Sequence, residues 1–179
     1  MRRAISLALL LAVTGGTARA EVPPVATVDA HARADGNDKP LAIAVGENLF
    51  ATTWPVQVMQ VSANAIDGHV VIGLRLSGVK FHGTPALDDF HREVADLVER
   101  SFAAAPAAEE VDLWVTIPIR IGKDAVVSGD LAVPTTRNVY TLTVRRSEPR
   151  SSLEKRLSKG TNIFVDEEWA RAAFKIAGT

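Results

Sequence analysis

The chain has 179 residues, 47% of them hydrophobic and 23% charged, with a formal net charge of −1. That composition excludes intrinsic disorder, collagen-like repeats and a strongly basic nucleic-acid binder. The absence of cysteine excludes disulfide scaffolds, thiolate metal sites, iron–sulfur clusters and cysteine nucleophiles.

The first twenty residues carry the pattern of a secretory signal peptide. Arg2 and Arg3 form a positive start, Ala4 to Val13 is an unbroken apolar run, and Ala18-Arg19-Ala20 fits a small-x-small cleavage site. The apolar run is too short to span a bilayer, which takes about 20 residues. Cleavage after Ala20 removes Arg2, Arg3 and Arg19, so 17 basic residues remain against 21 acidic ones, net −4. The expected address is periplasmic or secreted, with no transmembrane segment in the mature chain. A cysteine-free protein there depends on its packed core for stability.

Residues 21–39 read as a loose N-terminal arm, from their prolines and the polar cluster Asp35-Gly36-Asn37-Asp38. A single domain spanning 40–179 follows. Pro40 opens a short helix with Leu41, Val45 and Leu49 on one side, ended by Trp54-Pro55. A strand from Val56 to Asn64 leads into Asp67-Gly68, a type I′ hairpin signal, and returns as His69 to Phe81. Ile72, Leu74 and Leu76 alternate, then the phase slips at Ser77-Gly78, which predicts a β-bulge.

Thr84-Pro85 predicts a helix start, with Thr84 as cap and Asp88 and Asp89 in the first turn. Leu87, Phe90, Val94, Leu97, Val98 and Phe102 form its apolar stripe, while Asp88, Asp89, Glu93, Asp96 and Glu99 read as a solvated face. Val111 to Ile121 alternates, with Asp112, Trp114, Thr116, Pro118 and Arg120 on the face away from the apolar one. Pro118 suggests an edge strand or a bulge. After a loop over Gly122 to Leu131 comes a strand from Asn138 to Arg145, then a helix with Ser151 and Glu154 as a capping box and Gly160 as its stop. Asp166 caps a last helix with the stripe Trp169, Ala173 and Ile176. The expected fold is α+β: an antiparallel sheet of about four strands in two hairpins, with helices mainly on one face.

Chemistry is announced weakly. His82, Asp88 and His91 are the best metal or hydrolase candidates, because Asp88 and His91 are neighbours on a helix and the bulge turns His82 outward. No established ligand spacing accompanies them. Ser128-Gly129-Asp130 lacks the glycine pattern of a nucleophile elbow and reads as a turn. No carboxylate stands in a sequence setting that would raise its pKa, and no phosphate loop or dinucleotide fingerprint is present, so no cofactor is expected. Residues 85–112 carry eight acids against two bases, and 137–159 carry seven bases against two acids, a split that reads as two parts of one fold pairing internally.

The expected function is therefore an exported, non-catalytic binding or envelope-associated domain, with an unidentified protein or small-molecule partner and no nucleic acid. One alternative is a small hydrolase or metal-dependent enzyme on His82, Asp88 and His91. Another is a structural module docking a partner by sheet addition at a Pro118 edge. Trp114 is the focus of the binding reading. Either the helix bearing Trp169 or the N-terminal arm folds over it, or Trp114, Thr116 and Arg120 form a binding surface.

Overall fold

A computed structural model describes residues 22, 24–119 and 136–174. The order of elements is α1 (Pro24–Arg33), β1 (Ala34–Asp35), α2 (Lys39–Phe50), β2 (Val56–Ile66), β3 (His69–Phe81), α3 (Leu87–Ala104), β4 (Glu110–Pro118), β5 (Thr136–Arg145), α4 (Arg150–Lys159), β6 (Phe164–Val165) and α5 (Glu167–Ala173). The strands form one sheet in the order β1-β2-β3-β4-β5-β6. The fold is α+β, but the sheet is mixed and six-stranded, not antiparallel and four-stranded. Both expected hairpins, β2–β3 and β4–β5, are antiparallel. They meet through a parallel β3–β4 pair, and β1 also runs parallel to β2. The cause is α3: its 18 residues carry the chain back along the sheet, so β4 starts at the same end as β3.

The β2–β3 turn has φ of 52° at Asp67 and 82° at Gly68, as a type I′ turn requires. Further along, Val58 pairs with Leu76 and Val56 with Phe81, so β3 bulges through Ser77 to Lys80. This leaves Lys80 and His82 exposed. The bulge does not bury Val79, which stays 58% exposed.

Register sorts the sheet into lateral rows. On one face run Ala63, Ile72, Val111 and Val144; then Val61, Leu74, Leu113 and Leu142; then Leu76, Val115 and Tyr140. All of these are buried in one cluster with Val45 and Leu49 of α2, Phe90, Val94 and Leu97 of α3, Leu153 and Leu157 of α4, and Trp169 of α5. On the other face the rows are mostly polar and are half-buried or exposed.

Several local expectations are corrected. The stretch read as a loose arm contains α1, whose buried Ala30 seats against Gly46 of α2, and β1, which pairs with Val61 and Ser62. Small residues at both positions let the two helices approach. Asp38 caps α2 by accepting from the Leu41 amide at 3.2 Å. α3 starts at Leu87 after Ala86, so Thr84 is no cap. α4 starts at Arg150, which places Ser151 inside the helix, and Glu154 pairs with Arg150 instead of closing a capping box. Pro118 does not mark a sheet edge, because β4 lies between β3 and β5. It sits beyond the last β3 partner, Thr116, where a missing N–H costs that ladder nothing. Gly160, at φ 64°, does end α4, and the Asp166 side chain does cap α5 through the Trp169 amide.

The charge split is resolved inside the fold. Arg150 of α4 pairs with Asp96 and Glu99 of α3 as well as with Glu154. Arg146 donates to the carbonyls of Phe102, Ala105 and Ala108, at the open end of α3.

Candidate functional site

The polar face of the sheet is organised around Trp114. Its indole reaches from β4 across β3 and covers Gly73: a Cβ at that glycine would lie 2.8 Å from the Trp114 ring. Gly73 is what lets the ring lie against the backbone, and the ring in turn shields backbone that a side chain would otherwise cover. Trp114 is half-buried. Among the described residues neither of the coverings considered from sequence is formed. Trp169 lies on the opposite side of the sheet, packed on Phe90 and Phe174, with its indole N–H donated to the Gly78 carbonyl at 2.9 Å. α1 packs on α2.

Trp114 sits in a row set by register: Gln60 on β2, Arg75 on β3, Trp114 on β4, Thr141 on β5 and Phe164 on β6. Phe164 is 51% exposed. Arg75 forms no ion pair with a carboxylate among the described residues, and its Nε is buried with no hydrogen-bond partner. On one side of this row Asp112 accepts from the Thr143 hydroxyl. On the other, Thr116 stands opposite Ser77 and its hydroxyl donates weakly to the Leu76 carbonyl at 3.5 Å. Of the three residues expected to form a binding surface, Trp114 and Thr116 share this face, and Arg120 lies outside the described residues. Arg75 and Phe164 went unremarked in the sequence. Arg75 was legible as the out-facing member of the Ile72, Leu74, Leu76 alternation, whereas Phe164 joins the face only through its pairing with Thr141.

The metal candidates are not assembled into one site. Asp88 and His91 line a cavity of about 240 Å³ between α3 and α4, with Arg92, Glu154, Leu157 and Ser158. His82 lines a different one, with Trp54, Arg33 and Phe50, and its backbone N–H is tied to the Pro55 carbonyl. Among the described residues no three histidine or carboxylate side chains converge as a metal cluster would require. Burial lowers the His91 pKa, against the opposing pull of Asp88. His91 Nδ1 and the Tyr140 hydroxyl are both buried without partners, their rings 6.5 Å apart. Burial raises the Tyr140 pKa above its ordinary value, more than Arg156 lowers it. Ser128-Gly129-Asp130 lies outside the described residues.

One carboxylate reverses the sequence expectation. Glu93 is not on a solvated face: it is buried at 6% exposure and its Oε1 accepts from the Val56 amide at 3.0 Å. Burial pushes its pKa up to about 7, with the Val56 amide opposing and Asp96 adding to the rise. Glu93 lies next to Val94 in the stripe, and only the packing of β2 on α3 reveals its burial.

A cleft of about 640 Å³ lies at the carboxyl ends of the parallel strands β3 and β4 and is lined by Val79, Phe81, Ile117, Arg137, Glu168 and Trp169 among others. Two of its donors are already engaged, Arg137 with Asp166 and the Trp169 indole with Gly78. No protein-family model, no curated protein and no solved structure matches the chain.

Proposed function

We propose that this is an exported, non-catalytic binding domain that takes its ligand on the polar sheet face around Trp114. The observation that carries this reading is Arg75. Its guanidinium stands on the same row as the half-buried Trp114 and makes no ion pair with a carboxylate among the described residues. The large cleft lacks this feature, since its arginine and its indole are engaged internally. Trp and Arg are also the side chains that contribute most per residue to binding surfaces. Catalysis has less support, because His82 stands apart from Asp88 and His91. Docking by strand addition at Pro118 has less support, because β4 lies between β3 and β5. Export rests on the leader pattern of residues 1–20, which lies outside the described residues. Among the described residues no helix is long and apolar enough to cross a membrane.

The three tryptophans make the test direct. The Trp54 and Trp169 indoles donate to the carbonyls of Leu49 and Gly78, so their N–H resonances report the helix side of the sheet. On adding the soluble contents of the cell envelope to labelled protein, the Trp114 indole resonance, assigned with Trp114→Phe, moves and the other two stay. Movement of Trp54 or Trp169 with Trp114 unchanged, or no movement at all, overturns the reading.

A further inference from the structure

Independently of the polar face, we propose that residues 33–38 form an autoinhibitory strap. It occupies the outer edge of β2, and that edge is a pairing surface for a second copy of this chain once the strap lifts.

β2 has eleven residues, yet β1, the strand outside it, pairs only with Val61 and Ser62. The strap closes further positions by other means. Arg33 donates to the Val58 carbonyl. The Asp38 amide donates to the Ala63 carbonyl at 3.0 Å. The Asn37 side chain imitates a strand at Ala65, accepting from its amide at 2.8 Å and donating to its carbonyl at 3.0 Å. Asp35 accepts from the Gln60 side chain. The approach is closest at Gly36, where φ is +93° and a Cβ would lie 2.2 Å from the Ala63 carbonyl oxygen. Only glycine serves there.

Two contrasts with the other side of the sheet give the strap its role. A long open strand edge templates pairing with another chain, and charge on the strand blunts it. The sequence of β2, VQVMQVSANAI, has no charged residue, no proline and no glycine. The charges beside it, Arg33, Asp35 and Asp38, all belong to the strap. β5 carries Arg137 and Arg145 of its own. The outer edge of β5 is also sealed by a segment that cannot leave. Arg156 donates to the Thr143 carbonyl and the Asp166 amide to the Val139 carbonyl, and Leu153, Leu157 and Trp169 of that segment lie in the main core. On the β2 side no residue before Ala42 belongs to the buried cluster, although Ala34 and Leu41 touch its margin. The side chains that α1 buries are Ala26 and Ala30. So little apolar area holds α1 and the strap that they can open while the core stands.

A second copy fits the freed edge. Two β2 strands joined antiparallel about a two-fold axis satisfy each other's outward amides and carbonyls, and an uncharged strand meets its own copy without like-charge repulsion.

Gly36→Val lifts the strap, because valine has neither the φ nor the room at that position, and it leaves β2 itself unchanged. In sedimentation equilibrium over a concentration series the wild type behaves as one chain, and Gly36→Val as a dimer whose share grows with concentration. A second variant, Arg33→Ala with Asn37→Ala, removes bonds of the strap without adding bulk and shifts the same way. Adding Met59→Lys, a charge at an exposed β2 position, returns Gly36→Val to one chain. The Trp169 indole N–H, bonded to the Gly78 carbonyl, keeps its resonance throughout and reports an intact core. A folded Gly36→Val that stays a single chain, or a wild type that associates equally, overturns the strap. Association that persists with Met59→Lys overturns β2 as the surface. Loss of the Trp169 resonance in both strap variants makes the strap part of the fold and overturns its release; if Gly36→Val alone loses it, the double variant decides by the same criterion.

Discussion

Glu93 shows how far one side chain's behaviour depends on its surroundings. Its carboxyl is held protonated to about pH 7 in the folded chain, against 4.5 when freely solvated. The native state therefore binds more protons than the unfolded state between those values, and stability falls as pH rises through that window. Allowing for water that reaches the carboxyl, the loss is about 2 kcal/mol. Glu93→Gln keeps an acceptor for the Val56 amide and removes the titration. In chemical denaturation it should match the wild type near pH 5 and exceed its stability by that amount at pH 8. Glu93→Ala instead leaves the Val56 N–H buried and unpaired, at a cost of about 1–3 kcal/mol at either pH. His91 works in the other direction. Its lowered pKa keeps it neutral in the fold, so its contribution is present above pH 6.5 and is lost as pH falls. Trp114→Ala uncovers Gly73 but opens no core cavity. Its cost should be about 1–2 kcal/mol, below the 3–5 kcal/mol typical of an aromatic removed from an interior.

Among the elements, α3 has the most to hold in place. Its amino-terminal turn carries Asp88 and Asp89, which suit the helix dipole. The last turn of α3 has no basic residue and is closed from the turn after β5, where Arg146 reaches three carbonyls and stacks on Phe102 with 4.6 Å to the ring centroid. Arg146→Ala strips that end of its donors and should cost about 1–3 kcal/mol. Arg146→Lys should recover little of it, since an ammonium lacks the planar fork that serves several acceptors at once. Urea denaturation of the two variants side by side checks this. Arg150 links the same helix to α4 through Asp96 and Glu99, but in solvent such a link contributes only about 0–1 kcal/mol. Arg150→Ala should therefore be nearly silent in the same assay at high salt. At the amino-terminal side, Ala30 is buried against Gly46 where α1 meets α2. Ala30→Leu has no room there and should destabilise by about 1–3 kcal/mol, which a thermal melt would register. An arm lying loose over the domain would tolerate that change.

At the scale of the whole molecule, the sheet divides the described residues into two unlike sides. The helices and the apolar rows build the core on one side, and the other carries Arg75, Trp114 and Phe164 on a polar background. A domain of this kind needs no disulfide, because its inward rows across β2 to β5 are buried throughout. If residues 1–20 are removed on export, intact-mass measurement of protein from the periplasmic or secreted fraction finds Glu21 as the first residue. A mass retaining the leader would place the protein elsewhere and change the charge it carries.

The sequence by itself determined what depends on neighbours along the chain. Asp67-Gly68 had to turn, since both positions take positive φ; Gly160 had to stop a helix; Asp166 had to start one; and the alternation from Val111 to Val115 had to give one buried and one open face. It also put Trp114 and Thr116 on the open side, because side chains in a strand alternate with a period of two whatever lies beside them. Only the tertiary structure decided what depends on partners distant in sequence. Alternation reports whether a face is covered and not which way the neighbouring strand runs, so the parallel pairing of β3 with β4 was not legible. Two small residues, Ala30 and Gly46, joined a helix to the domain through contact across a gap in sequence. Burial of Glu93 depended on where β2 starts, and the alignment of Arg75, Trp114 and Phe164 depended on register across four strands. Local sequence sets each side chain's direction, and the packing of elements against one another sets its company.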